Sequence, residues 1–199
     1  MGRIGFVLGH KTGWGVLMRM SVIQHTQRGI SLMETLVAMA LFGVLLTLGV
    51  SSYRSWVQNS QTRAAAESVL NGLSLARSEA ASRNAPVSFT LTGNDWSVDV
   101  VPDPTYGIAA KNIQKRFGTE GTRNAVITSP QNTLTFNGIG RLSPGSLDTT
   151  FTITNPSAGN CATPTLGGVR CMNVMVTSGG QIRMCDPALS LANNPQGCQ

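Results

Sequence analysis

Residues 30–50, ISLMETLVAMALFGVLLTLGV, form an almost uninterrupted apolar run, broken only by Ser31, Glu34, Thr35 and Thr47. As a helix at 1.5 Å per residue this run spans about 30 Å, the thickness of a bilayer's hydrocarbon core. Helix is the conformation it must take there, because a single spanning segment has to satisfy its own backbone hydrogen bonds. Glu34 is the anomaly. An ionisable group inside a bilayer costs on the order of 2.5–3.5 kcal/mol at the helix centre and less near an end, so it implies a function. A cut after Gly29 would free an α-amino group on Ile30 one helical turn from Glu34, and a cationic terminus, its own or a neighbour's, could neutralise the carboxylate.

Charge is divided at the same point. The formal net charge is +6, but Arg3, Lys11, Arg19 and Arg28 all precede residue 30 and all nine acidic residues follow it, leaving 11 Lys and Arg against 9 Asp and Glu. A basic pI therefore says little about nucleic acid. The split is that of a basic targeting leader ahead of an exported domain. Both histidines, His10 and His25, lie in the leader. Without them the mature chain has no imidazole for a Ser/His/Asp or Cys/His site. It also shows no recognisable carboxylate pair and no phosphate-binding glycine loop, so a non-enzymatic chain without cofactor or metal is expected. Gly5–Thr12 has the wrong spacing for a Walker-type loop.

An ordinary secretory signal would put its cleavage site after the apolar run, where Leu48–Ser52 offers a poor one, and an unprocessed single-pass anchor would leave Glu34 without a role. The segment before the run is long for a basic leader. Met20 offers an internal start that would shorten it to ten residues, so residues 1–19 are expected to reflect an upstream start.

Past the membrane-length run, Tyr53–Ala85 is rich in helix-forming Ala, Arg, Glu, Gln and Leu. Val57, Gln61, Ala65, Val69, Leu73, Ala76 and Ala80 recur at steps of three and four, predicting one modestly apolar face. Pro86 predicts the helix end. A helix over 30–85 would have a first half with no partner in its own chain, which argues for assembly with neighbouring helices. Beyond Pro86 the period becomes that of strands: 87–91 and 96–101 joined by a turn at Gly93-Asn94-Asp95, then 112–117, 124–128, 132–137, 149–154, 170–177 and 181–185. Thr177–Gly180 predicts a tight turn, and 102–111 and 155–170 read as loops. Trp96 and Phe136 are candidate core aromatics, Arg141 a turn residue, and Asp186-Pro187 the turn into the last loop. The fold class is α+β, antiparallel strands packing on the helix's second half. Four segments follow: a leader over 1–29, a transmembrane half-helix over 30–50, a periplasmic half-helix over 51–85 and a β domain over 86–199.

Cys161, Cys171, Cys185 and Cys198 are the four cysteines. Clustered in a Gly/Pro/Asn-rich region of an exported chain, they read as two disulfides. Intervals of 9, 13 and 12 residues lack the close Cys pairs of a zinc site. Three connectivities are open. Cys161–Cys171 with Cys185–Cys198, closing two short loops, is preferred over a Cys171–Cys185 link across the last hairpin.

Arg28-Gly29-Ile30-Ser31-Leu32-Met33-Glu34 closely resembles the signal of type IV pilins and type II secretion pseudopilins. The resemblance implies a prepilin peptidase cutting after Gly29, methylation of Ile30, and assembly guided by Glu34. Ile30 departs mildly from the usual Phe. Later segments are similar to the GspH/FimT group of that family: Leu75–Ala80 with Arg83–Val87, then Leu134–Arg141 with its T-F-N-x-x-G-R pattern, then Gly180–Pro187. The resemblance implies a type IV pilin-like fold. It implies partners among major and minor pilins or pseudopilins, reached through the N-terminal helix. It also implies a single-pass location in the bacterial inner membrane with a periplasmic domain, followed by a pilus or pseudopilus. A minor pilin near the pilus tip, priming assembly, fits a stapled C-terminal loop better; a pseudopilin of type II secretion is the alternative. Some members bind DNA through a G-R-x-R element. Here Gly180-Gln181-Ile182-Arg183 lacks one arginine, for which Arg170 across the hairpin could compensate, and Lys111, Lys115, Arg116 and Arg123 are candidates for a second basic patch.

Overall fold

A computed structural model describes residues 29–163 and 168–198, apart from the side chains of residues 47–52. Of the expected leader over 1–29, residues 1–28 lie outside the described residues. One long helix, α1 (Leu32–Arg83), precedes eight strands: β1 (Val87–Thr92), β2 (Asp95–Val100), β3 (Lys111–Arg116), β4 (Val126–Thr128), β5 (Thr133–Phe136), β6 (Thr149–Thr154), β7 (Met172–Val176) and β8 (Ile182–Cys185). The strands form two antiparallel sheets, ordered β3-β2-β1-β5 and β4-β6-β7-β8.

Two compact units divide the chain between Gly43 and Val44. In the first, the described part of α1 carries Glu34 in its opening turn, and its large apolar side chains, from Leu32 to Phe42, are exposed. No helix among the described residues is long and apolar enough to cross a membrane. The apolar side chains described without a break from Leu32 stop at Leu46, and the last part of the 30–50 run lies outside them.

The second unit holds the core. Ala65, Val69, Leu73, Ala76 and Ala80 are buried, as the three- and four-residue steps predict, while Val57 and Gln61 are only half-buried. Gly72 shows why this face is small. A Cβ there would lie 2.8 Å from Phe89 and 3.1 Å from Trp96, so the bare backbone lets these rings lie against the helix. Phe89 in turn meets Phe151 edge to face at 5.7 Å, joining the inner sides of the two sheets. Trp96 is buried, and its indole N–H donates to Ser68 Oγ at 2.8 Å. Along the helix Arg63 pairs with Glu67 and Arg83 with Glu79, each one turn apart.

The helix stops at Arg83, two residues short of the expected end. Asn84 adopts a left-handed conformation (φ 48°), and the Ala85 N–H donates to the Ala80 carbonyl, a Schellman-type closure completed before Pro86. The strands agree with the alternating pattern to within a residue or two. The segment read as the loop 102–111 is organised: Asp103 accepts from Thr105 N, a 3-10 turn spans Pro104–Tyr106, and Lys111 already belongs to β3.

Candidate functional site

The C-terminal third folds into a stapled platform. Disulfides Cys161–Cys171 and Cys185–Cys198 are formed, and no free cysteine remains. The second closes the segment after β8 back onto that strand, where Asp186 N–H also donates to the Gln196 carbonyl. The β7–β8 hairpin turns through Gly180 (φ 82°), whose backbone lies so close to Gly140 that no side chain would fit. Gly140 belongs to the T-F-N-x-x-G-R turn. There Asn137 Oδ1 accepts from the backbone of Ile139 and Arg141, which makes Arg141 a turn residue. The turn and the last hairpin are thus locked together, and Leu142 N–H donates to the Ser178 carbonyl.

Between this platform and α1 lies an open groove of about 430 Å³. Trp56, Asn59, Ser60 and Arg63 form its helical wall, at the spacing of one helix face, and Met172, Met184 and Asp186 stand opposite. Sequence reasoning missed it, because its helical wall is polar and falls outside the apolar pattern. Asp186 is more than the start of a turn. It is buried, accepts from Ala188 N at 2.9 Å, and pairs with Arg170 Nε at 3.2 Å. Leaving this carboxylate buried without its guanidinium would be costly.

The two arginines proposed to act together are not cross-strand partners. The hairpin register pairs Arg183 with Met175 and leaves Arg170 three residues beyond the last pair, Asn173 with Cys185, from where its side chain reaches Asp186. Arg183 instead donates to the Cys198 carbonyl at 3.3 Å. The second basic group is divided as well. A register shift between Val98 and Asp99 places Lys111 across from buried Val100 and Arg116 across from buried Trp96, whereas Lys115 faces Ser97. Cross-strand partners share a sheet face, so Lys115 stands on the other side from Lys111 and Arg116. Arg116 is engaged with Glu120 and Lys115 lies over the Phe117 ring at 4.8 Å; Arg123 is exposed beyond the strand.

Near the N-terminus Gly29 and Ile30 are exposed and precede α1, and Glu34 is exposed in its first turn, without an ion pair among the described residues. No cluster of three or more His, Cys, Asp or Glu able to hold a metal ion occurs among the described residues.

The model of the type II transport protein GspH family matches residues 65–188, and that of the prokaryotic N-terminal methylation motif matches residues 24–50. The first match covers more than half of the chain, and the chain belongs to the GspH family, described as type II transport proteins. Among solved structures it is similar to the type IV minor pilin FimU of Pseudomonas aeruginosa, at 23% identity and a TM-score of 0.49 over 72% of this chain and 99% of that one. It is also similar to the minor pseudopilin EpsH from the type 2 secretion system of Vibrio cholerae, at 12% identity and a TM-score of 0.48 over 65% and 99%. A third is E. coli GspH, at 12% identity and a TM-score of 0.46 over 65% and 91%. No curated protein matches.

Proposed function

We propose that this chain is a minor type IV pilin, a structural subunit at or near the pilus tip that helps prime assembly. Residues 30–50 store it in the inner membrane with residues 51–199 in the periplasm. A prepilin peptidase cuts between Gly29 and Ile30 and Ile30 is methylated. Glu34 then meets an N-terminal amine as the helix joins those of major and minor pilins. The observation that carries this reading is the coincidence of two features on one segment. The methylation motif covers residues 24–50, and the same segment presents large apolar side chains, Leu32 to Leu46, more than half exposed. Such a surface needs lipid or other helices to cover it.

A second reading, a subunit of the periplasmic pseudopilus of type II secretion, is favoured by the description of the matching family, a type II transport protein. Both readings use the helix alike and differ in the machine served. Deleting the gene and assaying surface pili and secreted enzymes separately distinguishes them. Loss of pili with secretion intact supports the first, and the reverse supports the second. Complementation with Glu34→Gln is expected to fail in either machine, and full rescue would overturn the assembly role. Assistance to DNA uptake would rest on Arg183 and Arg170 with Lys111, Lys115 and Arg116. Its test is salt-dependent DNA retention, which Arg183→Ala and Arg170→Ala must weaken.

A further inference from the structure

Along α1 the described exposed side chains are aliphatic up to Leu46 and aromatic or cationic from Tyr53. Val44, Leu45 and Leu46 are exposed, and the apolar run read from the sequence ends at Val50. After Ser51 and Ser52 come Tyr53, Arg54 and Trp56. The two aromatic residues are 65% and 66% exposed, with ring centroids 6.1 Å apart. Arg54 makes no ion pair among the described residues. Nor has the Trp56 indole N–H a hydrogen-bond partner among them, whereas Trp96 gives its own to Ser68.

We infer that Tyr53, Arg54 and Trp56 form a collar that sits in the headgroup layer of a phospholipid bilayer, on the side of the β sheets. This rests on the anchoring proposed above and adds the depth at which the chain is held. Residues 53–56 lie within about 4.5 Å of one another along a helix axis, so all three share one depth. That fits an interfacial layer several ångströms thick beside a hydrocarbon core of about 30 Å. Tyrosine and tryptophan favour this layer because the ring body is apolar while the O–H or N–H still needs a polar partner. Lipid carbonyls and phosphates supply acceptors for those donors, and phosphate supplies the anion that Arg54 lacks. A neighbouring helix would have to provide buried acceptors and a carboxylate at the same level.

The test uses the full chain with Trp14→Phe, reconstituted into phosphatidylethanolamine/phosphatidylglycerol vesicles. The lipids carry bromine either just below the headgroup or near the chain ends. Subtracting the signal of a matched Trp14→Phe/Trp56→Phe chain isolates Trp56, and buried Trp96 serves as the internal reference. Shallow bromine is expected to quench Trp56 roughly twofold more than deep bromine, as its placement in the interface requires. A chain that floats with the vesicles but whose Trp56 is quenched at neither depth, or best by deep bromine, overturns the collar and leaves the anchoring intact. A chain that does not float with the vesicles overturns both.

Discussion

The two stretches of α1 bear opposite residues for opposite neighbours. Between Ala65 and Ala80 the buried positions are mostly small, with Gly72 among them, and they admit the rings of Phe89 and Trp96 to the helix surface. Between Leu32 and Leu46 they are large, and their exposures run from 54% to 76%. Each Leu- or Phe-sized group left uncovered forgoes about 1.5–3 kcal/mol of burial. A helix designed only to carry the sheets would not bear such groups. The first stretch thus presents large apolar groups that the described residues leave uncovered, and the second is covered by its own β strands.

Matched substitutions break or sharpen that contrast. Phe89→Ala removes the ring shared by the helix and both sheets and is expected to cost about 3–5 kcal/mol, whereas Phe42→Ala in the exposed stretch is expected to stay within about 0.5 kcal/mol. Denaturant unfolding of the full chain in detergent, followed by tryptophan fluorescence, measures both; equal costs would erase the distinction. Removing the terminal staple with Cys185→Ser and Cys198→Ser should cost about 3 kcal/mol, read as a lower unfolding midpoint that reductant reproduces in the unmodified chain. The glycines give the cleanest pair. Gly72→Ala is expected to destabilise by about 1–2 kcal/mol, because overpacking against Phe89 outweighs the gain in helix propensity. Gly43→Ala meets nothing within 4 Å and should be neutral or stabilising by up to about 1 kcal/mol. Least of all, Arg63→Ala breaks an exposed pair with Glu67 and should change stability by under about 0.5 kcal/mol.

Periodic features were legible in the sequence. Helix steps of three and four identified Ala65, Val69, Leu73, Ala76 and Ala80. Strand alternation identified Val87-Phe89 and Trp96-Val98, because one buried face leaves a repeating trace in the chain. What depends on long-range pairing was not. That β5 joins β1 rather than its sequence neighbours, or that Asn94 in the first hairpin turn bonds to Ala125 and Ile127, leaves no periodic mark. How the basic residues of β3 divide between its two sides was not legible, for a local reason. One irregularity between Val98 and Asp99 moves Lys115 to the opposite side from Lys111. Asp186 was legible only as a turn residue, since its burial and its pair with Arg170, sixteen residues away, depend on how the chain beyond the hairpin folds back. Asn84, not Pro86, closes the helix, because a left-handed Asn completes the hydrogen bonds that a proline merely forgoes.

The most direct test is the intact mass of the chain recovered from cells that contain a prepilin peptidase. The uncovered apolar stretch makes sense if proteolysis ends the chain's life as a tethered precursor and presents a charged amine to the carboxylate of a packing neighbour. The account predicts a polypeptide beginning at Ile30 and carrying one N-terminal methyl group. A mass that retains Gly29, or that begins beyond Val50, would contradict it.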